Sequence, residues 1–349
     1  MRSDGMVNFI PIQNIYYMLC YAWNVLKYQD IVEVDSLYSN KIMDLFALIL
    51  ENGVSYLIRR GLYRQYITFE EEENIIRGKI NINKSFKRNL WIKRKMFCEY
   101  DELNHNILHN RIIKTTINYL LLYEDLDTGL KNDLKKVHKY FEAIDTIKLN
   151  KRIFREVQIH RNNRYYSFIL DICELIFNNL LVDEKSGTVK FKDFIRDERQ
   201  MRYLFENFVR NFYKKELANV RIYRENIKWD VKDGAGMEYL PIMQTDISLE
   251  IKDKKLIIDT KYKISAFSYN YNAKKLHSEN LYQLFSYIKN IQGKGGIDEK
   301  CIGILLYPRT GEDLDLEYLI QGQIIRIKTI NLGLEWRQIH KRLTEIAME

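Results

Sequence analysis

Apolar residues recur at helical spacing over much of the first half of the chain. The helices that this spacing predicts are Ile12–Leu26, Leu37–Arg60, Asn106–Tyr123, Lys131–Ile144 and Tyr166–Val182. Alternating residues predict two short strands, Tyr66–Phe69 and Ile75–Ile82, with the acidic segment Glu70–Asn74 as the turn between them. Phe86–Tyr100 is basic and aromatic and is predicted to be extended. The first half is therefore predicted to be an α+β domain, with helices around a small β unit.

The pattern changes near Phe191, where an amphipathic helix, Asp197–Leu217, is followed by predicted strands. The later strands and helices are predicted at Val220–Trp229, Thr245–Ile251, Lys255–Tyr262, His277–Ile291, Cys301–Tyr307, Ile324–Ile330 and Leu334–Met348. The order of helix, three strands, helix and strand is typical of a compact α/β layer. We therefore expect an N-terminal domain over residues 1–190 and an α/β domain over residues 191–349.

Composition narrows the class of partner. The 349 residues carry a formal net charge of +8, and the isoelectric point is about 9.0. This charge favours a polyanion such as nucleic acid, although solubility alone would also account for it. The four cysteines form no CxxC pair and are interpreted as buried thiols of a cytoplasmic protein. No apolar run approaches the roughly 18 residues of a membrane span, so no membrane partner is expected.

The most informative stretch is Gln244–Tyr262, in which two predicted strands flank a polar turn. Side chains alternate along a strand, so Asp259 and Lys261 share one face. With a turn at Asp253–Lys254, Asp246 would lie opposite Lys261 and diagonal to Asp259. Two carboxylates and an amine would then meet on one patch.

Such a patch suits phosphodiester hydrolysis. Carboxylate oxygens are hard ligands for Mg²⁺, which polarises a phosphate and helps to ionise a bound water. A lysine beside the cation can orient that water or stabilise developing negative charge. The alternative is a solvated surface hairpin, but the apolar run Leu256–Ile258 leads directly into Asp259 and argues against it.

The segment resembles the motif of the PD-(D/E)xK nuclease superfamily. Asp246 matches the first acid, and Asp259, Thr260 and Lys261 match the second half, although Thr245 replaces the proline before the first acid. The resemblance implies that Asp246, Asp259 and the backbone carbonyl of Thr260 hold the metal, and that Asp246, Asp259 and Lys261 are catalytic. It implies a PD-(D/E)xK fold for the α/β domain.

Further residues are candidates for support on the DNA side of this site. Gln283 and Tyr287 lie four residues apart on one helix face and resemble the QxxxY element of exonuclease-like members. Thr245 is a third candidate, and core packing of Tyr287 is the alternative. Glu206 occupies the place where some members carry an extra acid, but a solvated glutamate is the favoured interpretation.

Similarity to one family extends over the whole chain. The sequence resembles McrC, the nuclease subunit family of McrBC 5-methylcytosine-specific restriction systems. The similar stretches are Ile10–Trp23, Arg77–Ile80, Asn110–Lys114, Thr245–Asp246, Asp259–Tyr262, His277–Leu284 and Asn331–Trp336. The resemblance implies a type IV, methylation-dependent DNA endonuclease subunit that works with a McrB-type AAA+ GTPase hexamer on double-stranded DNA carrying modified cytosine.

The same resemblance implies how the work is divided. The chain contains no GxxxxGK[ST] phosphate loop, so GTP is expected to bind the partner and not this chain. Residues 1–190 are expected to dock on the GTPase ring, with Tyr66–Tyr100 as the candidate inserted element. The basic run Lys84–Lys95 would contact either an acidic channel of the ring or DNA phosphates, and a solvated strand face is the alternative.

Other interpretations stay open from the sequence. His105 and His109 are spaced like metal ligands on a helix, but without a third ligand they are interpreted as ordinary histidines. The chain could be an autonomous PD-(D/E)xK nuclease that needs no GTPase. It could also be a non-catalytic activator of an AAA+ ring, although the intact Asp246, Asp259 and Lys261 argue against that.

Overall fold

The structure is a computed structural model that describes residues 10–24, 41–182, 189–192, 194–263, 266–270 and 273–349. The chain divides into two compact units, one formed by residues 43–192 and the other by residues 1–42 together with 193–349. No helix of the described residues is long and apolar enough to cross a membrane. The two units are described separately below, as the middle unit and the sheet unit.

The elements of the described residues are numbered here in chain order. The α-helices are α1 (Ile12–Ala22), α2 (Ile42–Arg60), α3 (Ile82–Lys87), α4 (Leu108–Leu122), α5 (Thr128–His138), α6 (Lys151–Glu156), α7 (Tyr166–Asn179), α8 (Glu198–Glu216), α9 (Ser278–Gln292) and α10 (Trp336–Met348). The strands are β1 (Gln65–Glu73), β2 (Lys79–Ile80), β3 (Met96–Asn104), β4 (Leu180–Val182), β5 (Val189–Phe191), β6 (Arg221–Tyr223), β7 (Asn226–Ile227), β8 (Met243–Gln244), β9 (Ile247–Ile251), β10 (Lys254–Thr260), β11 (Phe267–Asn270), β12 (Ala273–Leu276), β13 (Ile302–Pro308), β14 (Asp315–Ile320) and β15 (Gln323–Ile330).

The middle unit combines helices with a three-stranded antiparallel sheet in the order β1-β3-β2. This agrees with the predicted α+β character, but the strand bounds differ. The predicted acidic turn is wrong, because Glu70–Glu73 continue β1 and pair with Met96–Glu99 of β3. The glutamates are tolerated there because they are solvent-exposed or half-buried and Lys84 and Arg88 pair with Glu70 and Glu72.

The segment between β2 and β3 is also different from its prediction. It is not extended: it forms α3 and then a 3-10 turn over Leu90–Lys93 before β3 begins. Asn81 caps α3 by accepting a hydrogen bond from the backbone N–H of Lys84, at 3.0 Å. Gly78 precedes β2 with a φ of +59°, and a Cβ there would overlap the backbone of Glu99, so only glycine fits this close approach.

The sheet unit is built on a six-stranded mixed sheet in the order β14-β15-β13-β10-β9-β6. Strands β10, β13 and β15 are parallel, and the other neighbours are antiparallel. Parallel central strands are expected to be buried on both faces, and β10 and β13 carry the corresponding unbroken apolar runs. The predicted mixed α/β layer is therefore confirmed, while β14 and the β11-β12 hairpin were not predicted.

The first helix belongs to the sheet unit, which corrects the assignment of all of residues 1–190 to one domain. Tyr21 of α1 packs against Phe208 and Phe212 of α8, with ring centroids 5.9 and 5.4 Å apart. Asn211 donates hydrogen bonds to the carbonyls of Tyr21 and Ala22, at 3.1 and 2.9 Å, and so satisfies carbonyls at the helix end. The apolar face of α1 that the sequence predicts therefore packs against α8, about 190 residues later in the chain. The predicted continuation of this helix to Leu26 lies partly outside the described residues.

Candidate active site

The candidate site forms where β10 ends in the middle of the sheet. Leu256, Ile257 and Ile258 are fully buried between β9 and β13. Asp259 follows in the same strand and is only 1% exposed. A carboxylate so deeply placed is costly unless a cation or hydrogen bonds compensate for it. We therefore expect a cation or hydrogen-bond donors next to the Asp259 carboxylate.

Asp246 reaches this carboxylate through a register that differs from the predicted one. The turn between β9 and β10 is centred on Lys252 and Asp253, with Lys252 in the left-handed conformation at a φ of +50°. The ladder ends with Ile247 opposite Ile258, and its continuation places Asp246 opposite Asp259, not opposite Lys261. Because this shift is two residues, every side chain keeps its face. The prediction was thus wrong in register and right in bringing these groups together.

Asp246 is fixed by the last residue of β10. Its Oδ2 accepts hydrogen bonds from the backbone N–H of Thr260 at 2.8 Å and from the Thr260 hydroxyl at 2.9 Å. Among the described residues no hydrogen bond reaches the other oxygen, Oδ1. Asp246 therefore keeps one carboxylate oxygen available for a ligand. The Thr260 side chain, which the sequence left without a role, holds this carboxylate in place.

Lys261 provides the positive charge beside Asp259. Lys261 Nζ lies 2.7 Å from Asp259 Oδ2, although the direction departs from that of a hydrogen bond, so this buried oxygen has no well-directed donor. Burial raises the pKa of Asp259, the negative charge of Asp246 raises it further, and Lys261 opposes both. The positive charge of Lys261 therefore does not fully offset the effects of burial and of Asp246 on Asp259.

Helix α9 adds two polar side chains to the site. Lys261 Nζ donates to Gln283 Oε1 at 2.7 Å, and Gln283 Nε2 donates to the Tyr287 hydroxyl at 2.7 Å. The helix can approach closely because residue 303 of β13 is glycine, where a Cβ would overlap Ile288 and Leu284. The predicted pair Gln283 and Tyr287 is thus brought to the site. Burial is also the main reason that the pKa of Tyr287 is raised.

Thr245 does not join this group. Its side chain is fully buried, and its hydroxyl accepts from the backbone N–H of Glu225 at 2.9 Å and lies 3.0 Å from the Ser248 hydroxyl. Thr245 N–H in turn donates to the Glu225 carbonyl at 3.0 Å. The predicted contact of Thr245 with DNA is therefore not supported by its position. Its hydrogen bonds anchor the segment that carries Asp246.

Glu206 of α8 lies near the carboxylates and is not simply solvated. Its Oε1 pairs with Arg210 at 2.8 Å and with Arg224 at 3.3 Å. Its negative charge contributes to the raised pKa of Asp259. No pattern in the sequence singles out Arg224, because this contact joins residues 18 positions apart in different elements.

The donor set fits a hard divalent cation. Asp246 Oδ1 and the buried Asp259 Oδ2 are carboxylate oxygens without well-directed hydrogen bonds among the described residues. No group of three or more histidine, cysteine, aspartate or glutamate side chains with metal-binding geometry occurs in the described part of the chain. Two carboxylates with further backbone, water or phosphate oxygens are the kind of set that Mg²⁺ accepts, because it retains several waters.

His109, one of the two candidate metal-ligating histidines, has structural partners. His109 is buried, and its Nε2 lies 3.1 Å from the Gln158 carbonyl and 3.2 Å from Asn163 Nδ2. Burial lowers its pKa, so the neutral form is favoured. The interpretation of His109 as an ordinary core histidine therefore stands. The four cysteines are free and buried, as predicted.

Comparison with known proteins identifies the family. Residues 11–308 match the family described as McrBC 5-methylcytosine restriction system component. The type IV methyl-directed restriction enzyme EcoKMcrBC of Escherichia coli (strain K12) is 34% identical over 342 residues, which are 97% of this chain and 98% of that protein.

One solved structure shares the fold over most of the chain. McrC bound to McrB AAA+ hexamers in a half-complex of the tetradecameric assembly from Thermococcus gammatolerans has a TM-score of 0.60 and 16% identity, over 96% of this chain and 76% of that chain. A second structure, the McrBC complex of the same organism, has a TM-score of 0.45 and 20% identity over 62% of this chain and 61% of that chain. With a family match over most of its length and a relative of this identity, the chain belongs to the family of McrBC 5-methylcytosine restriction system components.

Proposed function

We propose that the chain is the DNA-cleaving subunit of its restriction system and that it hydrolyses phosphodiester bonds with Mg²⁺ at Asp246, Asp259 and Lys261. The observation that carries the proposal is the meeting of two carboxylates and a lysine at the end of one buried strand pair. The order of α8, the three strands β6, β9 and β10 of the six-stranded sheet, and α9 is compatible with a PD-(D/E)xK layout. Membership of the family supports a nuclease activity for the chain. The assignment of that activity to Asp246, Asp259 and Lys261 is the part that the experiment below tests.

The protein groups divide the chemistry among them. Asp246 and Asp259 would hold the cation through Oδ1 and Oδ2, and the Thr260 carbonyl is the proposed third protein ligand. When bound, Mg²⁺ polarises the phosphate and lowers the pKa of a coordinated water. Lys261 orients the attacking water and stabilises the negative charge that develops on the phosphate as one P–O bond forms and another breaks.

Gln283 and Tyr287 act through Lys261 in this proposal. A lysine side chain has several rotatable bonds, and the hydrogen bond that Lys261 donates to Gln283 removes part of that freedom before the reaction begins. Tyr287 in turn orients the Gln283 amide by accepting from its nitrogen, which leaves the amide oxygen facing Lys261. This chain of contacts keeps the ammonium next to Asp259.

The remaining parts of the proposal concern partners. The McrC of the first solved structure is bound to McrB AAA+ hexamers, and we propose a GTPase ring of that type as the partner of this chain. Residues of the middle unit would dock on it, with Tyr66–Tyr100 as the inserted element. Phe86 and Trp91 in that element are exposed by 63% and 57%, as expected of residues that a partner covers. DNA with modified cytosine is the proposed substrate, and GTP would bind the partner.

The test is cleavage of methylated plasmid by the chain and its cognate GTPase with GTP and Mg²⁺, with GTP turnover followed in parallel. Asp259→Ala should abolish cutting and preserve the stimulation of GTP hydrolysis. Asp253→Ala is the matched control, because it removes an exposed acid from the turn of the same hairpin. Cutting by Asp259→Ala at the wild-type rate would refute the site and favour a non-catalytic activator. Cutting by the chain without the GTPase would favour an autonomous nuclease.

A further inference from the structure

Arg224 directly follows β6, whose neighbour in the sheet, β9, begins one residue after Asp246. In the β6-β9 ladder Tyr223 is opposite Ser248, and the next step places Arg224 beside Ile247, the neighbour of Asp246 in sequence. The following residue, Glu225, exchanges two hydrogen bonds with Thr245 at 3.0 and 2.9 Å. Arg224 is thus held at the same end of the sheet as the carboxylates by backbone pairing on both sides.

Glu206 holds the Arg224 side chain without using up its hydrogen-bonding capacity. Arg224 Nη2 lies 3.3 Å from Glu206 Oε1, and the Arg224 side chain is 44% exposed. Among the described residues the guanidinium has no other hydrogen bond or ion pair. Since a guanidinium carries five N–H donors, most of them are available to a ligand from solvent.

Arg210 neutralises Glu206, so Glu206 can hold the Arg224 side chain without depending on Arg224 for charge compensation. The Arg210 side chain is only 12% exposed and pairs with Glu206 at 2.8 Å, and it also donates to Asn207. Arg210 therefore compensates the charge of Glu206 within α8, so Arg224 is not needed for that. Arg224 is the second arginine on Glu206 and is partly exposed, so its guanidinium is available to a ligand from solvent.

The charges also show that this arginine and the carboxylates belong to one neighbourhood. Glu206 helps to raise the pKa of Asp259, and Arg224 lowers the pKa of Tyr287 against the effect of burial. Asp246 and Asp259 act on the same tyrosine in the opposite direction. Arg224 is thus a cation beside a site that is otherwise dominated by negative charge.

We propose that Arg224, positioned by Glu206, binds a phosphate group of the DNA that is cleaved at this site. The proposal rests on the proposed nuclease function and extends it to substrate binding. A planar guanidinium can donate two parallel hydrogen bonds to phosphate, and it would offset the repulsion between the DNA backbone and the carboxylates. In this arrangement Glu206 positions an arginine and is not a metal ligand.

The experiment measures cleavage by the full chain with its GTPase over a range of DNA concentrations, with GTP turnover as the readout of assembly. Arg224→Ala should raise the KM for DNA about tenfold or more and reduce the salt dependence of that KM by about one phosphate contact. Arg224→Lys should restore the charge and only part of the affinity, because lysine cannot form the paired contact. Arg221→Ala is the matched control: it removes an exposed arginine from the other end of β6, where it pairs with Glu250.

Binding of Mn²⁺ to the full chain, followed by calorimetry, separates the role of Glu206 from that of a metal ligand. Glu206→Gln should weaken DNA use while Mn²⁺ binding stays unchanged, whereas a tenfold loss of Mn²⁺ affinity would overturn the positioning role. An Arg224→Ala variant that behaves like Arg221→Ala would overturn the phosphate contact. If the phosphate contact or the positioning role fails but Asp259→Ala still abolishes cutting, the proposed nuclease function stands. If Asp259→Ala cuts normally, the proposed function itself fails.

Discussion

Lys261 and Gln283 are joined by a hydrogen bond of 2.7 Å that links the residue after β10, the strand carrying Asp259, to helix α9. Replacing Gln283 by leucine removes the acceptor with little change in side-chain size. We expect kcat for DNA cleavage to fall about tenfold, the equivalent of roughly 1.4 kcal/mol, with a smaller change in KM. The measurement is the DNA-concentration dependence of cleavage by the assembled system.

The neighbouring Tyr282 offers a control for this variant. It lies on the same helix and is 69% exposed, so Tyr282→Ala should leave kcat unchanged. An equal loss in both variants would point to general damage to α9. No loss in Gln283→Leu would mean that Lys261 does not need this support.

The raised pKa of Asp259 predicts how divalent-metal binding depends on pH. Burial and the charge of Asp246 bring this pKa to about 7, so a proton competes with the metal below that pH. The affinity for Mg²⁺ should therefore rise as pH increases from 6 to 8 and level off above the pKa. Calorimetry in buffers of different ionisation enthalpy would detect the proton released. An affinity that is constant over this range would contradict the prediction.

The same carboxylate should destabilise the metal-free protein at alkaline pH. A carboxyl whose folded pKa lies above its unfolded value contributes stability at low pH and loses it as pH rises through the folded pKa. Asp259→Asn carries no charge, so at pH 8 in EDTA we expect its free energy of unfolding to exceed that of the wild type by about 1–3 kcal/mol. At pH 4 the difference should nearly vanish.

Urea denaturation at both pH values checks this, with Asp253→Asn as the control. Asp253 is an exposed turn residue, so its neutralisation should have little effect at either pH. A destabilised Asp259→Asn at pH 8 would show that the ion pair with Lys261 outweighs burial and the repulsion from Asp246. In that case Lys261 alone would compensate the repulsion between Asp246 and Asp259, and no bound metal would be needed for it.

The structure brings together the side chains that the sequence singled out, but in a register that differs from the predicted one. Asp259 follows the apolar run Leu256–Ile258, and Asp246 lies in the predicted strand before it, so a tight turn between the two strands brings the acids close together once a register is assumed. The register was beyond prediction because the turn Lys252–Lys255 contains no glycine, asparagine or proline to fix it. Lys252 adopts the left-handed conformation there, which few lysines do.

Contacts between distant segments account for most of what was missed. The pairing of Arg224 with Glu206 depends on how α8 crosses the end of β6, and no local pattern encodes that crossing. The helical period of α1 correctly predicted a helix with a buried stripe. That stripe could not indicate which later segment would cover it, so α1 was grouped with the segments that follow it in sequence.

Asn14 provides a test of the placement of α1 in the sheet unit. Its side-chain amide is 4% exposed and donates to the carbonyls of Leu332 and Leu334, at 2.7 and 2.8 Å. These carbonyls lie just before α10, where Trp336 stacks on Tyr17 with ring centroids 4.9 Å apart. Asn14→Ala leaves two carbonyls without their donor, and we expect a loss of about 2 kcal/mol in the free energy of unfolding.

Gln13→Ala is the control for Asn14→Ala, because it removes an amide one position away that has no hydrogen bond within the described residues. The loss should be visible in the unfolding of the sheet unit, which contains Trp336 and its fluorescence. If α1 instead served only as a docking segment, Asn14→Ala would weaken assembly with the GTPase and leave urea unfolding unchanged. Loss of stability with normal GTP stimulation would show that the first helix is part of the fold that carries the candidate active site.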